Sequence, residues 1–71
     1  MKDLKKIYQV VEVDEDSTYY YDYDNPEEAV SHAKNINSCS DETSWMAYVN
    51  ELEVDKKGGK IYSCKLYWEE D

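Results

Sequence analysis

A few groups of side chains in this sequence could do chemistry. His32, the one histidine, follows Glu28 by four residues, and in a helix that spacing sets an acid and an imidazole on one side. With Cys39 or Cys64 beside it, the imidazole could activate a thiol nucleophile. Nothing in the spacing brings a cysteine there, so a surface helical histidine is the plainer reading. The two cysteines lack CxxC spacing and are too few for a disulfide framework, which leaves them as small packing residues.

Asp14, Asp16 and Thr18 begin with the alternation of a calcium loop. The pattern then breaks: Tyr19 stands where the loop needs glycine, and Asn25 where it needs a bidentate Glu. A looser hard-cation site in the Asp14–Asp16 turn is the residual metal reading. Carboxylate pairs are plentiful, but they work as acid and base only when they line a pocket. Gly58-Gly59 falls in a turn with no helix behind it, so it is no phosphate loop. These patterns lead to a protein that is not an enzyme and has no catalytic residue, metal or cofactor.

The more informative stretch runs from Asp14 to Glu28. It holds four of the chain's eight tyrosines and seven of its seventeen acids, with no basic residue. Tyr carries a hydroxyl that needs water or a partner, so such rings settle half-buried on sheet faces or in interfaces. Phe and Arg are absent, and the formal charge of -9 repels phosphate backbones and acidic membrane surfaces. Direct nucleic-acid or membrane binding is therefore disfavoured, and a protein partner with a basic surface is favoured.

The elements that would position these groups can be read in order. Ile7–Val13 is β-branched and aromatic, with Ile7, Val11 and Val13 on one face and Tyr8 and Val10 on the other. Asp14–Ser17 suits a hairpin turn. Thr18–Tyr23 alternates, and a pairing of Val13 with Thr18 sets Tyr21 opposite Val10 and Tyr23 opposite Tyr8, making a tyrosine patch on one side.

Asn25-Pro26-Glu27-Glu28 is a helix start, with Asn25 as N-cap, Pro26 in the first turn and Glu28 completing a capping box. Ala29, Val30, Ala33 and Ile36 form a narrow stripe of mostly small residues, and Asn35, Asn37 and Ser38 end the helix near Ile36 or Asn37. A polar loop from Asn37 to Thr43 leads to a strand over Trp45–Val54, a turn over Asp55–Gly59 and a last strand over Ile61–Trp68. A plain hairpin pairs Val54 with Lys60, Leu52 with Tyr62, Tyr48 with Leu66 and Met46 with Trp68. The Met46, Tyr48, Leu52, Val54 face is the more consistently apolar, so it is expected under the helix.

The order is ββαββ: one α+β domain over residues 1–71, a small four-stranded antiparallel sheet with one helix on one face. No apolar run reaches membrane-spanning length and no signal-peptide core follows Met1, which points to a soluble cytoplasmic protein. One helix leaves the other sheet face bare, and exposed aromatic surface rimmed by charge is where proteins meet.

In size, in its -9 charge and in the carboxylates of Asp14-Glu15-Asp16, Asp22, Asp24, Glu27-Glu28, Asp41-Glu42, Glu51, Glu53 and Glu69-Glu70-Asp71, the chain resembles the small acidic inhibitor proteins of phages and mobile elements, such as anti-CRISPR and anti-restriction proteins. That resemblance is one of general character and carries no specific motif. It implies an inhibitor that occupies the basic channel of a nucleic-acid-handling enzyme as a nucleic-acid mimic, in the host cytoplasm. The expected recognition residues are Asp14, Glu15, Asp16, Asp22, Asp24, Glu27 and Glu28 as charges, with Tyr20, Tyr21 and Tyr23 as anchors. The alternative is a non-catalytic interaction or homodimerisation module that uses the bare aromatic sheet face, its acids serving solubility.

Overall fold

A computed structural model describes residues 3–39, 46–57 and 59–70. It has five elements: β1 (Leu4–Val13), β2 (Thr18–Tyr23), α1 (Pro26–Cys39), β3 (Met46–Asp55) and β4 (Ile61–Glu69). The strands form one antiparallel sheet in the order β2-β1-β3-β4, giving the expected ββαββ α+β fold. The long strands β1 and β3 sit in the centre, where both edges of each are paired. Of the expected elements, the loop over residues 40–43 and Trp45 lie outside the described residues.

The first hairpin has the expected register, with Val13 opposite Thr18, Val10 opposite Tyr21 and Tyr8 opposite Tyr23. The turn fixes it through a bond from the Asp14 amide to the Ser17 carbonyl at 2.8 Å. Helix α1 starts as its sequence directs: the Asn25 carboxamide oxygen accepts from the amides of Glu27 at 2.8 Å and Glu28 at 3.4 Å. It runs past the expected end to Cys39.

Two expectations for the second half are corrected. The helix lies on the opposite sheet face from the one assigned to it. Its Ala29 and Ala33 are fully buried against Val10, Ala47 and Val49, with Tyr8, Tyr23, Val30, Ile36 and Trp68 packed around them. A stripe of alanines lets the helix backbone approach closely, and only small side chains on the sheet fit beneath it. The larger residues Met46, Tyr48 and Leu52 are left on the far face.

The register of β3 with β4 also differs. Val54 pairs with Ile61, one residue beyond the plain hairpin; Leu52 then pairs with Cys64 and Val49 with Trp68. Two β-bulges account for the drift, one placing Tyr62 and one placing Tyr67 as an extra residue on β4. The second bulge carries Trp68 onto the helix side, where it joins the core. The β3–β4 turn closes with Gly59 at a φ of 70°, a conformation suited to glycine.

Candidate interaction site

The acidic stretch is divided by the fold into separate surfaces. Asp14, Glu15 and Asp16 form the β1–β2 turn, and the Asp14 carboxylate turns back to accept from the Glu15 amide. Asp24, Glu27 and Glu28 surround the start of α1, where the partial positive charge of the helix end suits them. The two acid groups sit at opposite ends of β2, about 20 Å apart at the rise of a strand.

Strand alternation separates the residues between them. Tyr21 and Tyr23 lie on the helix side, whereas Tyr20 and Asp22 lie on the bare face beside Val11 and Gln9. Asp22 accepts from the Gln9 carboxamide at 3.3 Å, and Tyr20 is 62% exposed.

The tyrosines on the helix side have internal partners. Tyr23 and His32 share a hydrogen bond of 2.8 Å between the phenol oxygen and Nδ1. The Tyr21 ring meets the same imidazole edge-on at 4.7 Å, and its hydroxyl donates to Glu12 Oε1 at 3.0 Å. That bond, with smaller contributions from desolvation and neighbouring negative charge, raises the Tyr21 pKa above its ordinary value. His32 is thus a half-buried bridge between β2 and α1, which its sequence position did not reveal. Cys64 is exposed on the bare sheet face, on the other side of the sheet from His32, so the two cannot form a nucleophile pair.

Beside His32 the surface dips into an open depression of about 570 Å³, lined by Tyr23, Asn25, Glu27, Glu28, Ser31, His32 and Asn35. A second of about 380 Å³ lies between α1 and Tyr67. Among the described residues no three of His, Cys, Asp or Glu converge as metal ligands.

Charge is distributed unevenly along the sheet. Glu51, buried on the helix side, is held by Lys65 at 3.3 Å and Lys6 at 3.8 Å. These are the ion pairs among the described residues, so Glu15, Asp16, Asp22, Asp24, Glu27 and Glu28 remain exposed without a neutralising lysine. Most of the lysines gather at the other end of the sheet, where Leu4 pairs with Asp55: Lys5 and Lys6 on β1, and Lys56, Lys57 and Lys60 in the β3–β4 turn. The end bearing the β1–β2 turn also carries Glu69 and Glu70.

Two residues with structural roles were not identified from sequence. Asn37 offers both atoms of its carboxamide to Ala47, and Tyr67 packs edge-on to Tyr8 with ring centres 5.0 Å apart. A strand residue that packs as a bulge leaves no periodic signal.

Comparison with family models, with curated proteins and with solved structures finds no match to this chain. Among the described residues no helix is long and apolar enough to cross a membrane.

Proposed function

We propose that this chain is a small acidic binding protein that inhibits a nucleic-acid-handling protein, of the CRISPR or restriction nuclease kind, by occupying its basic surface as a nucleic-acid mimic. The observation carrying this reading is the set of exposed carboxylates at the β1–β2 turn and the start of α1, none with an ion-pair partner among the described residues. Channels built to meet phosphate charge are strongly basic, and fixed carboxylates can satisfy the same lysines and arginines. Glu15, Asp16, Asp24, Glu27 and Glu28 are the mimic charges. Tyr21 and Tyr23, engaged with Glu12 and His32, hold β2 against α1 and so fix where those charges point.

The test is displacement of a labelled DNA duplex from purified CRISPR and restriction nucleases by this protein. Stoichiometric displacement that fails when Glu15, Asp16, Asp24, Glu27 and Glu28 are changed to Gln or Asn supports the mechanism. Displacement by the neutralised variant at unchanged affinity removes it.

A further inference from the structure

Two strands, β2 and β4, have an outer edge that no other described strand pairs with. Such an edge presents a row of unpaired amides and carbonyls, which proteins guard against further pairing. On β4 the guards are two β-bulges and Lys65. Strand β2 has neither: its six residues pair with β1 without a register shift and include no lysine or proline.

Alternation shows which groups of β2 face outward. The Asp14 amide bonds the Ser17 carbonyl, so these two form a hydrogen-bonded pair, and the pair type alternates along the hairpin. Tyr19, Tyr21 and Tyr23 therefore direct their backbone groups to β1, whereas those of Thr18, Tyr20 and Asp22 point away from the sheet. The rings along this edge are open as well, with Tyr19 46% and Tyr20 62% exposed.

What guards this edge is negative charge. Asp22 stands on the strand, Asp14, Glu15 and Asp16 lie at one end, and Asp24, Glu27 and Glu28 lie at the other. Antiparallel pairing of two copies at β2 would lay each cluster on the other, and parallel pairing would lay each on itself. A second copy is repelled either way, and a strand of positive charge is attracted.

We propose that the outer edge of β2 takes an extended, lysine- or arginine-rich segment of a protein partner as a fifth strand of the sheet. The backbone groups of Thr18, Tyr20 and Asp22 supply the ladder bonds, the mode by which sheet edges elsewhere receive peptides. The exposed tyrosine rings receive the cationic groups and their apolar stems. The two acid clusters are about 20 Å apart, a span of about seven extended residues, so one segment reaches both. At the far end the open depression lined by Glu27, Glu28, Ser31 and Asn35 lies beside Tyr23. This inference rests on the proposed function for the basic character of the partner, and adds the form in which the partner presents its charge.

The experiment is calorimetric titration of the full chain with a synthetic peptide of about ten residues alternating lysine and threonine. A second peptide of the same sequence is N-methylated along its central residues, which keeps the charge and removes the amide donors from both of its edges. The first peptide is expected to bind, and the N-methylated one at least about tenfold more weakly. On the protein side, Tyr20→Pro removes one outward amide and leaves the ladder to β1 in place, and circular dichroism confirms the fold. Tyr20→Pro should bind the first peptide about fivefold more weakly than Tyr20→Ala, which lacks the same ring but keeps the amide. Equal affinities for the two peptides, equal affinities for the two variants, or no binding of the first peptide overturns strand addition and leaves displacement of DNA from a nuclease untouched. Peptide binding with both expected differences, in a protein that displaces no nuclease's DNA, supports the edge site and counts against the inhibitory reading alone.

Discussion

The Asn37 side chain pairs with the peptide group of Ala47 as a neighbouring strand would: Asn37 Nδ2 donates to the Ala47 carbonyl at 3.2 Å, and the Ala47 amide donates to Asn37 Oδ1 at 2.8 Å. This closed pair ties the end of α1 to the start of β3, where Ala47 enters the core. Asn37→Ala leaves both Ala47 groups without their partner and is expected to lower stability by about 1–3 kcal/mol. Asn37→Gln should recover little, because the longer arm cannot present both atoms at the same place. Urea unfolding of the three proteins checks this.

The bond between Tyr23 and His32 makes a second tie, from β2 to the same helix. Tyr23→Phe keeps the ring and removes the bond, at an expected cost of about 1 kcal/mol. His32→Ala should cost more than that, because it also removes the ring contacts with Tyr21 and Tyr23. A double-mutant cycle on Tyr23 and His32 should show a coupling above zero, and additive effects would mean the bond contributes nothing in solution.

A pH response follows from Tyr21. Its hydroxyl donates to Glu12, and the phenol's pKa is raised in the folded chain, so folding favours the protonated form. That contribution is complete below the unfolded phenol's pKa of about 10 and is lost as pH rises through the higher folded value. Tyrosinate absorbance, compared between the wild type and Tyr21→Phe, should show Tyr21 ionising above the unfolded phenol's range, and Glu12→Gln should bring its transition down.

Glu51 draws three strands together through Lys6 and Lys65. Removing both lysines with Lys6→Met/Lys65→Met strands a buried carboxylate, at an expected cost of about 1–3 kcal/mol. The full penalty of a deep broken pair is not reached, because both ammonium groups remain largely in water. Adding Glu51→Leu to that pair of changes should return most of the loss, and thermal unfolding of the three variants measures it.

The parts of the fold legible in the sequence are those fixed by local chemistry. Asn25-Pro26 marks the helix start because capping needs only neighbouring residues, and the four-residue turn sets the β1–β2 register for the same reason. What depends on distant packing was misread. Apolarity alone favoured Met46, Tyr48 and Leu52 for the helix side, yet the alanine stripe of α1 selects the small residues Ala47 and Val49. The bulges at Tyr62 and Tyr67 leave no mark on the alternation, and they carry the pairing of β4 away from a plain hairpin. Asn37 weakens a helix by propensity, but a tertiary bond to Ala47 holds it there. In the candidate site, the charges at the two ends of β2 could be named from sequence, and alternation already set Tyr21 and Tyr23 on one face and Tyr20 on the other, but the partners of Tyr21 and Tyr23 could not be read, because they come from Glu12 on the neighbouring strand and His32 on the helix.

The central claim is that exposed carboxylates bind a basic nucleic-acid channel, and the salt dependence of affinity tests it most directly. For a nuclease whose DNA is displaced, the dissociation constant would be measured across a salt series for the wild type and for the variant neutralised at Glu15, Asp16, Asp24, Glu27 and Glu28. Wild-type affinity should fall steeply and log-linearly with salt, and the neutralised variant should bind more weakly with a shallower slope. Equal slopes and equal affinities for the two proteins would contradict the claim.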